Sequence, residues 1–403
     1  MAGYKIVRNQ SEEKTQKEGM VSQSNNEYEY RQIKKTTTFS SNQKSYYYSG
    51  HFLNFKRDFH LMKTLISLLV CCFLFISHCK SQDSDYSFKE SYTVSLPAKL
   101  SVSSSDGNIE VLPSDGKEIQ VFYIVKHNNK LLSMDWKELE QKGISADVRH
   151  KGNSLEIDIR YPVSSWSFHF LDRIVIHLRI LAPQETECRL STSDGNISLQ
   201  GLKSDQHIKT NDGNIHVSQV TGMVAANSSD GNIEISKNNG AISASASDGN
   251  IRVKEIDGSA DIQSGDGNLE LADIGGSVKC RASDGNIELK NVRGDINVKT
   301  SDGNISFKDV SGSVKAQSGD GSIKGNILQL KNSLDVETGD GNIDIAIPDG
   351  LGLDLNIKGE SLKVPLKDFS GESTENYIKG KIHGGGISVD LITNDGSIKL
   401  EYK

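Results

Sequence analysis

From residue 194 onward, apolar and polar positions recur with a period of 18 residues. The most visible marker is the dipeptide Asp-Gly, which is followed by Asn in most copies. Its regular copies begin at Asp194, Asp212, Asp230, Asp248, Asp266, Asp284, Asp302 and Asp320. Another copy begins at Asp340 after an interval of 20 residues, and outlying copies stand at Asp106 and Asp395. A fixed period of this size indicates supersecondary units that stack on one another.

Within one unit, apolar residues alternate with polar residues in two short runs. The first run contains pairs such as Ile233 and Ile235, and the second contains pairs such as Ile296 and Val298. Period-two alternation rich in β-branched residues predicts two short strands per unit. Asp-Gly-Asn and a second Gly fall between the runs. They predict turns, because Gly accepts positive φ and because Asp and Asn hydrogen-bond their own turn backbone.

A stack of such units predicts an all-β fold, a β-solenoid of 18-residue two-strand coils. One unit cannot bury its apolar stripe alone, whereas successive units that pair in parallel close a continuous core. A propeller needs about 40–45 residues for each four-stranded blade, so the unit is too short for a propeller. A sandwich of simple antiparallel hairpins is not excluded by the spacing and stays an alternative.

The regions on either side of the repeats predict caps. Residues 82–190 contain alternating apolar segments and one helix-like stretch at 135–141, and we expect an N-terminal β capping region there. Residues 191–348 are the predicted β-solenoid repeats. Residues 349–403 break the period and are the predicted C-terminal β cap. Caps cover terminal strand edges that would otherwise pair with other chains.

Residues 62–81 have the pattern of a secretory signal peptide. Lys63 precedes an apolar run at 65–76, which is shorter than the ~20 residues that a membrane-spanning helix requires. We therefore expect an exported protein, located in the periplasm, on the outer surface or in the medium, with no transmembrane span in the mature chain. The preceding residues 1–61 are expected to be an extension that is not translated or, alternatively, a disordered cytoplasmic tail.

The site of cleavage follows from the small residues at the end of the apolar run. Cys79 and Ser81 stand at the two positions that signal peptidase recognises, so cleavage after Ser81 leaves Gln82 first. Lipidation at Cys79 is the alternative, although His78 stands where a lipoprotein signal has a small residue.

The charge of the exported part disfavours nucleic acid as a partner. Residues 1–81 hold 12 of the 46 basic and 6 of the 53 acidic residues, which leaves 34 basic and 47 acidic residues, a net charge of about -13. Affinity for nucleic acid depends mainly on neutralising phosphates with Lys and Arg. The same net charge disfavours binding to anionic lipid.

The cysteines exclude a disulfide framework. Of the five, only Cys188 and Cys280 lie outside the predicted signal peptide. Both fall on inward positions of the repeat, five coils apart, and a bridge requires Cα atoms within ~7 Å. We expect two buried free thiols.

Residues 95–403 resemble a family of bacterial exported proteins with an adhesin-type domain built of repeated Ser/Thr-Asp-Gly-Asn-Ile units. The resemblance includes the segment 180–183 (Ile-Leu-Ala-Pro) before the first regular coil and the ending 384–398 with its Gly-Gly-Gly-Ile and Asn-Asp-Gly-Ser-Ile motifs. It implies a secreted or surface β-solenoid, in a family of unassigned function that is called adhesin by analogy. It supplies no catalytic residue.

Stacking places the repeat carboxylates in one column, and such a column is a candidate calcium-binding site. The column comprises Asp194, Asp212, Asp230, Asp248, Asp266, Asp284, Asp302, Asp320 and Asp340. Like charges about 5 Å apart repel, and either turn hydrogen bonds or a bound cation offsets the repulsion. Only one turn per coil carries the Asp, so turn formation is the favoured interpretation, with no cofactor, and calcium is the alternative. The Asn residues are expected to form a hydrogen-bonded ladder.

A candidate ligand loop lies in the N-terminal region. Trp166, Phe168 and Phe170 alternate with polar residues there, whereas Phe307 at an inward position is the only aromatic residue between residues 190 and 349. Exposed aromatic rings bind glycans by stacking, so this loop is the candidate site, with an ordinary half-buried strand as the alternative.

Enzymatic activity is not expected. A hydrolytic site needs a local cluster of an acid and a base, whereas the outward positions carry residues of mixed sign, and His207 and His216 fall on turns or outer faces. We expect a non-enzymatic adhesin-like scaffold that binds an envelope, cell-surface or glycan partner. The alternatives are a periplasmic structural or envelope-stress module that binds another envelope protein and a carbohydrate-active β-helix enzyme.

Overall fold

The computed structural model describes residues 85–162 and 174–403. Contacts divide the chain into two units, residues 1–80 and 81–403, and every described residue belongs to the second unit. The predicted signal peptide and the aromatic residues of the candidate loop lie outside the described residues.

The described residues form thirty strands and a helix, α1 (Trp136–Glu140). The first nine strands are β1 (Phe88–Thr93), β2 (Ala98–Ser104), β3 (Ile109–Ser114), β4 (Glu118–His127), β5 (Lys130–Leu131), β6 (Ser145–Lys151), β7 (Ser154–Arg160), β8 (Ile174–Pro183) and β9 (Thr186–Ser191). The regular coils contain β10 (Ile197–Gln200), β11 (Gln206–Lys209), β12 (Ile215–Ser218), β13 (Val224–Asn227), β14 (Ile233–Asn238), β15 (Ile242–Ala246), β16 (Ile251–Ile256), β17 (Ala260–Ser264), β18 (Leu269–Ile274), β19 (Val278–Arg281), β20 (Ile287–Val292), β21 (Ile296–Lys299), β22 (Ile305–Gln317) and β23 (Ile323–Thr338). The last strands are β24 (Ile343–Ile347), β25 (Leu353–Lys358), β26 (Ser361–Lys363), β27 (Phe369–Ser373), β28 (Tyr377–Ile382), β29 (Ile387–Thr393) and β30 (Ser397–Tyr402).

The strands pair in two parallel ladders. Ladder A runs in the order β8, β3, β10, β12, β14, β16, β18, β20, β22, β23, β24, β30, β26. Ladder B runs in the order β7, β2, β9, β11, β13, β15, β17, β19, β21, β22, β23, β29, β25. Each coil is therefore a strand of ladder B, the Asp-Gly-Asn corner, a strand of ladder A and a second corner. The long strands β22 and β23 take part in both ladders.

The core lies between the ladders and is built by the period-two alternation. The pairs Ile233/Ile235 and Ile296/Val298 are almost inaccessible to solvent, and the residues between them are exposed. Parallel register places each inward residue beside its equivalent, as in Ile233 beside Ile251, so the buried column continues from coil to coil. Hydrophobic burial of these columns is the main stabilising contribution.

The order of coils differs from the order of the chain at the N-terminal end. The strand pair β2 and β3 stacks against β9 and β10, although residues 115–185 separate them in sequence. That intervening segment returns β7 and β8 to the outer side of β2 and β3. Asp106, an outlying copy in the sequence, therefore stands directly next to the regular coils.

The C-terminal end repeats this arrangement. The pair β29 and β30, with Asp395 at its corner, stacks on β23 and β24. The earlier pair β25 and β26 lies on the outer side of β29 and β30. At both ends, the outermost coil is thus supplied by a segment from within the chain.

Antiparallel strands cover the two ends. At the N-terminal end, β4 pairs with β8, β1 pairs with β4, and β6 pairs with β7. At the C-terminal end, β28 pairs with β25 and β27 pairs with β28. Asp135 is the N-cap of helix α1, and its side chain accepts a hydrogen bond from the backbone N–H of Glu138 in a capping box.

The predicted β-solenoid is confirmed, and the parallel pairing excludes the hairpin sandwich. The structure also bears out the helix-like stretch and the alternating segments around it. The two ladders extend from residue 98 to residue 402, so residues 82–190 and 349–403 supply complete coils as well as end strands.

Candidate functional site

The Asp-Gly-Asn corners stack so closely that the Gly has no room for a side chain. A Cβ atom built on Gly249 would lie 2.0 Å from the carbonyl oxygen of Gly231 in the preceding coil. The same contact is 1.8–2.2 Å at Gly195, Gly213, Gly231, Gly267, Gly285, Gly303, Gly321, Gly341 and Gly396. Within this column only Gly107 lies in the left-handed region, with φ +96°. The expectation that these glycines supply positive φ is therefore wrong, and close approach of backbones is the reason for them.

A column of buried hydroxyl groups supports the corner, and the sequence analysis missed it. Two residues before the Asp of most coils stands a Ser or Thr such as Thr210, whose Oγ1 donates to the carbonyl oxygen of Gly195 at 3.1 Å and accepts from the N–H of Gly213 at 3.2 Å. Hydroxyl groups that donate in this way belong to Thr192, Thr210, Ser228, Ser264, Thr300, Ser318, Thr338 and Thr393. Ala246 and Ala282 interrupt the column.

The expected asparagine ladder is present. The backbone N–H of Asn214 donates to Oδ1 of Asn196 at 2.8 Å, and its Nδ2 donates to the same oxygen at 3.2 Å. The backbone bond recurs at 2.8–3.0 Å from Asn196 to Ser322. At the N-terminal end His177 replaces the Asn, because its Nδ1 accepts the N–H of Asn108 at 3.0 Å.

The carboxylate column lies on the surface. Asp194, Asp212, Asp230, Asp248, Asp266, Asp284, Asp302, Asp320 and Asp340 are all exposed. Within residues 85–162 and 174–403, no group of three or more His, Cys, Asp and Glu side chains is arranged to hold a metal ion. Turn formation without a cofactor stays the prediction for this column, and calcium binding stays its alternative. Melting the protein with calcium and then with chelator tests it, and a shift below about 1 °C would argue against a bound ion.

The corner opposite Asp-Gly-Asn contains a column of left-handed residues that are not Gly. Each stands four residues after the first residue of a ladder A strand, and they are Gln219, Lys237, Glu255, Asp273, Asn291 and Asp309, with φ between 52° and 59°. The equivalent position in an earlier coil is Gly201, with φ +71°. A non-Gly residue in this region costs about 1–2 kcal/mol. Their repetition identifies them as part of the coil geometry rather than as a local site.

The remaining candidate side chains lie apart from one another. Cys188 and Cys280 are fully buried free thiols, as expected, and burial raises the pKa of both. His216 is about half exposed, and its Nδ1 lies 3.4 Å from a carboxylate oxygen of Glu234. The candidate loop residues Trp166, Phe168 and Phe170 belong to the segment between β7 and β8 and lie outside the described residues.

The described part of the N-terminal region contains its own aromatic cluster. The rings of Phe88 and Tyr123 stack with centroids 4.6 Å apart, and Trp136 of α1 contacts both edge-on. This cluster attaches α1 to β1 and β4, so its role is packing. None of the helices in the described part of the chain is long and apolar enough to cross a bilayer.

Comparison with known proteins assigns the family. A family model described as Toastrack DUF4097 matches residues 97–299 and 262–401, which together cover well over half of the chain. The chain belongs to the Toastrack DUF4097 family. The Toastrack match spans both ladders from β2 to β30, and it confirms the resemblance to a repeat family of unassigned function.

Two further comparisons add little to the Toastrack assignment. A solved structure described as a "putative cell adhesion protein" from Clostridium sporogenes ATCC 15579 is 14% identical and covers 78% of this chain and 99% of that chain, with a TM-score of 0.17. That score carries no argument about fold. No curated protein matches the chain.

Proposed function

We propose that this Toastrack protein is an exported, non-enzymatic scaffold that binds a component of the cell surface or envelope. The observation that carries the proposal is the register of the outward side chains. In ladder A, His216, Glu234 and Arg252 occupy adjacent coils at the same outward position, so the face consists of continuous columns of polar groups. Repeat proteins use such extended registered surfaces to bind partners.

The hydrogen-bond ladders at the corners support this role. They fix each coil to the next through backbone, hydroxyl and amide groups, so the outward columns keep their spacing without a bound ligand. A surface that is already ordered loses less conformational entropy when a partner binds. The predicted signal peptide at 62–81 supports export.

Binding of the labelled chain to intact cells and to isolated envelope tests the proposal. We expect saturable binding to at least one of the two, and the absence of binding to both would refute a scaffold role. Protease treatment of intact cells separates the locations, because it releases a surface protein and spares a periplasmic one. A periplasmic result would favour the structural or envelope-stress module.

The ligand loop is tested in the same assay. A triple Ala variant of Trp166, Phe168 and Phe170 removes the three rings without deleting backbone. We expect weaker binding if these rings stack on a glycan. Unchanged binding would assign the loop a packing role.

A further inference from the structure

The outer face of ladder A contains a recess near its C-terminal end. Its lining includes the short side chains of Ser306, Asn326 and Ala346, which lie in successive coils, and Ala346 is almost fully buried. Four lysines also line it, namely Lys308, Lys324, Lys399 and Lys403, together with three carboxylates, namely Glu288, Asp344 and Glu401. The recess has a volume of about 470 Å³.

The lysines around the recess are only partly neutralised. Lys399 donates to Glu401 at 2.6 Å and lies 3.7 Å from Asp344. Lys308 and Lys324 make no hydrogen bond or ion pair with any residue that the structure describes. Both are exposed, and Lys324 lies beside Asp344 in the register of β23 and β24.

Two further observations show that positive charge accumulates here. Lys290 lies directly beside Lys308 in the register of β20 and β22, and like charges on opposed strand positions are unfavourable. The hydrogen bond from Lys399 lowers the pKa of Glu401, and the charges of Lys363 and Lys403 act in the same direction.

The earlier coils of ladder A are arranged differently. Arg252 stands between Glu234 and Glu270 in the register, and its guanidinium lies 2.7 Å from Glu270. Charges in that part of the face compensate one another. The exported part of the chain carries a net charge of about -13, whereas the lining of the lysine recess contains four lysines and three carboxylates, a local excess of positive charge.

We infer that the lysine recess binds an anionic glycopolymer, a linear chain of sugar or polyol units that carry carboxylate or phosphate groups. This inference rests on the proposed scaffold function and names the partner class. Lysine ammonium groups are compact point charges that accept either anion without strict geometry. Lys290, Lys308 and Lys324 lie on three successive coils, which suits an anion that repeats along a chain. Nucleic acid is disfavoured because the one aromatic residue lining the recess, Phe307, is buried and offers no stacking surface.

Fluorescence anisotropy of the full chain with labelled oligogalacturonate and with labelled poly(glycerol phosphate) tests the inference. The two polymers distinguish carboxylate from phosphate as the recognised group. The test variant is Lys308→Glu with Lys324→Glu. The control is Lys209→Glu with Lys299→Glu, which changes net charge equally at exposed, unpaired lysines on the outer face of ladder B.

We expect binding of at least one polymer, weakened at least about tenfold in the test variant and by less than about twofold in the control, with a smaller salt dependence in the test variant. Failure of both polymers to bind, equal weakening in the two variants, or equally tight binding of a DNA oligonucleotide would each overturn the inference. If the test variant still binds cells or envelope as the unmodified chain does, the recess is refuted and the scaffold function stands.

Discussion

At the scale of single residues, the Asp-Gly-Asn corner is governed by the distance between successive backbones. Each corner Gly lies against the carbonyl group of the corner Gly in the preceding coil, and this contact leaves no space for a methyl group. Stacking, rather than turn conformation, therefore explains why Gly occupies this position in coil after coil. A substitution in one coil must displace either the corner or its neighbour.

Gly249→Ala tests this explanation. We expect a loss of about 3 kcal/mol or more in the free energy of unfolding, because the new Cβ would lie 2.0 Å from the carbonyl oxygen of Gly231. The midpoint of urea unfolding measures the loss. Gly116→Ala is the control, since Gly116 has φ +102° but no atom within 4 Å of its Cβ position. It should lose only about 1 kcal/mol, and equal losses in the two variants would contradict the explanation.

The interrupted hydroxyl column predicts a stabilising substitution, whereas Gly249→Ala is expected to destabilise the fold. Ala246→Ser places a hydroxyl group where Thr210 and Ser228 have one in their coils, within reach of the carbonyl oxygen of Gly231. We expect a gain of about 1 kcal/mol in the free energy of unfolding, measured by thermal or urea denaturation. Thr210→Val, which keeps the side-chain volume and removes the hydroxyl, should lose about 1–3 kcal/mol. If Thr210→Val instead increased the free energy of unfolding, the hydroxyl column would make no stabilising contribution.

At the scale of elements, the asparagine ladder ends on a titratable group. His177 in β8 accepts the N–H of Asn108 through Nδ1, so this nitrogen must be unprotonated. Burial lowers the pKa of His177, the charge of Lys126 lowers it further, and Asp106 opposes the shift. Since the folded-state pKa lies below the unfolded value of about 6.5, the unfolded chain binds the proton more readily. The stabilising contribution of His177 is therefore complete above the unfolded pKa and is lost as the pH falls through the folded pKa.

His177→Asn should reduce this pH dependence. Asn keeps an acceptor oxygen at the end of the ladder and does not titrate. Between pH 7.5 and pH 5, we expect the melting temperature of the variant to fall less than that of the unmodified chain. His207→Asn, at a partly exposed position in β11, is the control and should leave the pH dependence unchanged. The prediction fails if both variants follow the unmodified protein.

Local periodicity predicts the regular coils well for a physical reason. The inward or outward direction of a strand residue depends only on its immediate neighbours, so the burial of Cys188 and Cys280 follows from their place in the repeat. The Asn ladder follows from the fixed interval, because equal spacing brings equal residues together in a parallel stack.

The ends of the stack are not predictable in the same way. Pairing of β7 and β8 with β2 and β3 joins segments far apart in sequence, and residues 154–183 contain no Asp-Gly to mark the register. The equivalence of His177 with the Asn column emerges only when that pairing is known. Left-handed residues such as Lys237 and Glu255 were missed because neither residue type favours positive φ, and the coil geometry imposes it. The lysine recess is lined by residues of several coils and of β30, a combination that a single repeat unit does not reveal.

At the scale of the whole described unit, each regular coil contacts only its two neighbours within the ladders. Residues 213, 231 and 249 are equivalent glycines, and adjacent coils meet through the same backbone contacts, with side-chain hydroxyl bonds at most of the interfaces. Stability in such an array approximates a sum of coil and interface contributions. The end strands then matter because they close the first and last interfaces.

This nearest-neighbour description predicts that the protein tolerates the removal of one complete coil. Deletion of residues 231–248 joins Asp230 to Gly249 and places Ile251 beside Ile215, so every inward column and the asparagine ladder stay in register. We expect a folded protein with unchanged β-sheet circular dichroism per residue and a smaller denaturant dependence of unfolding, because less surface is exposed on unfolding. Deletion of residues 231–239 alone removes half a coil and should abolish cooperative unfolding, because strands of ladder A would then face strands of ladder B. Equal tolerance of both deletions would refute nearest-neighbour stacking as the basis of the fold.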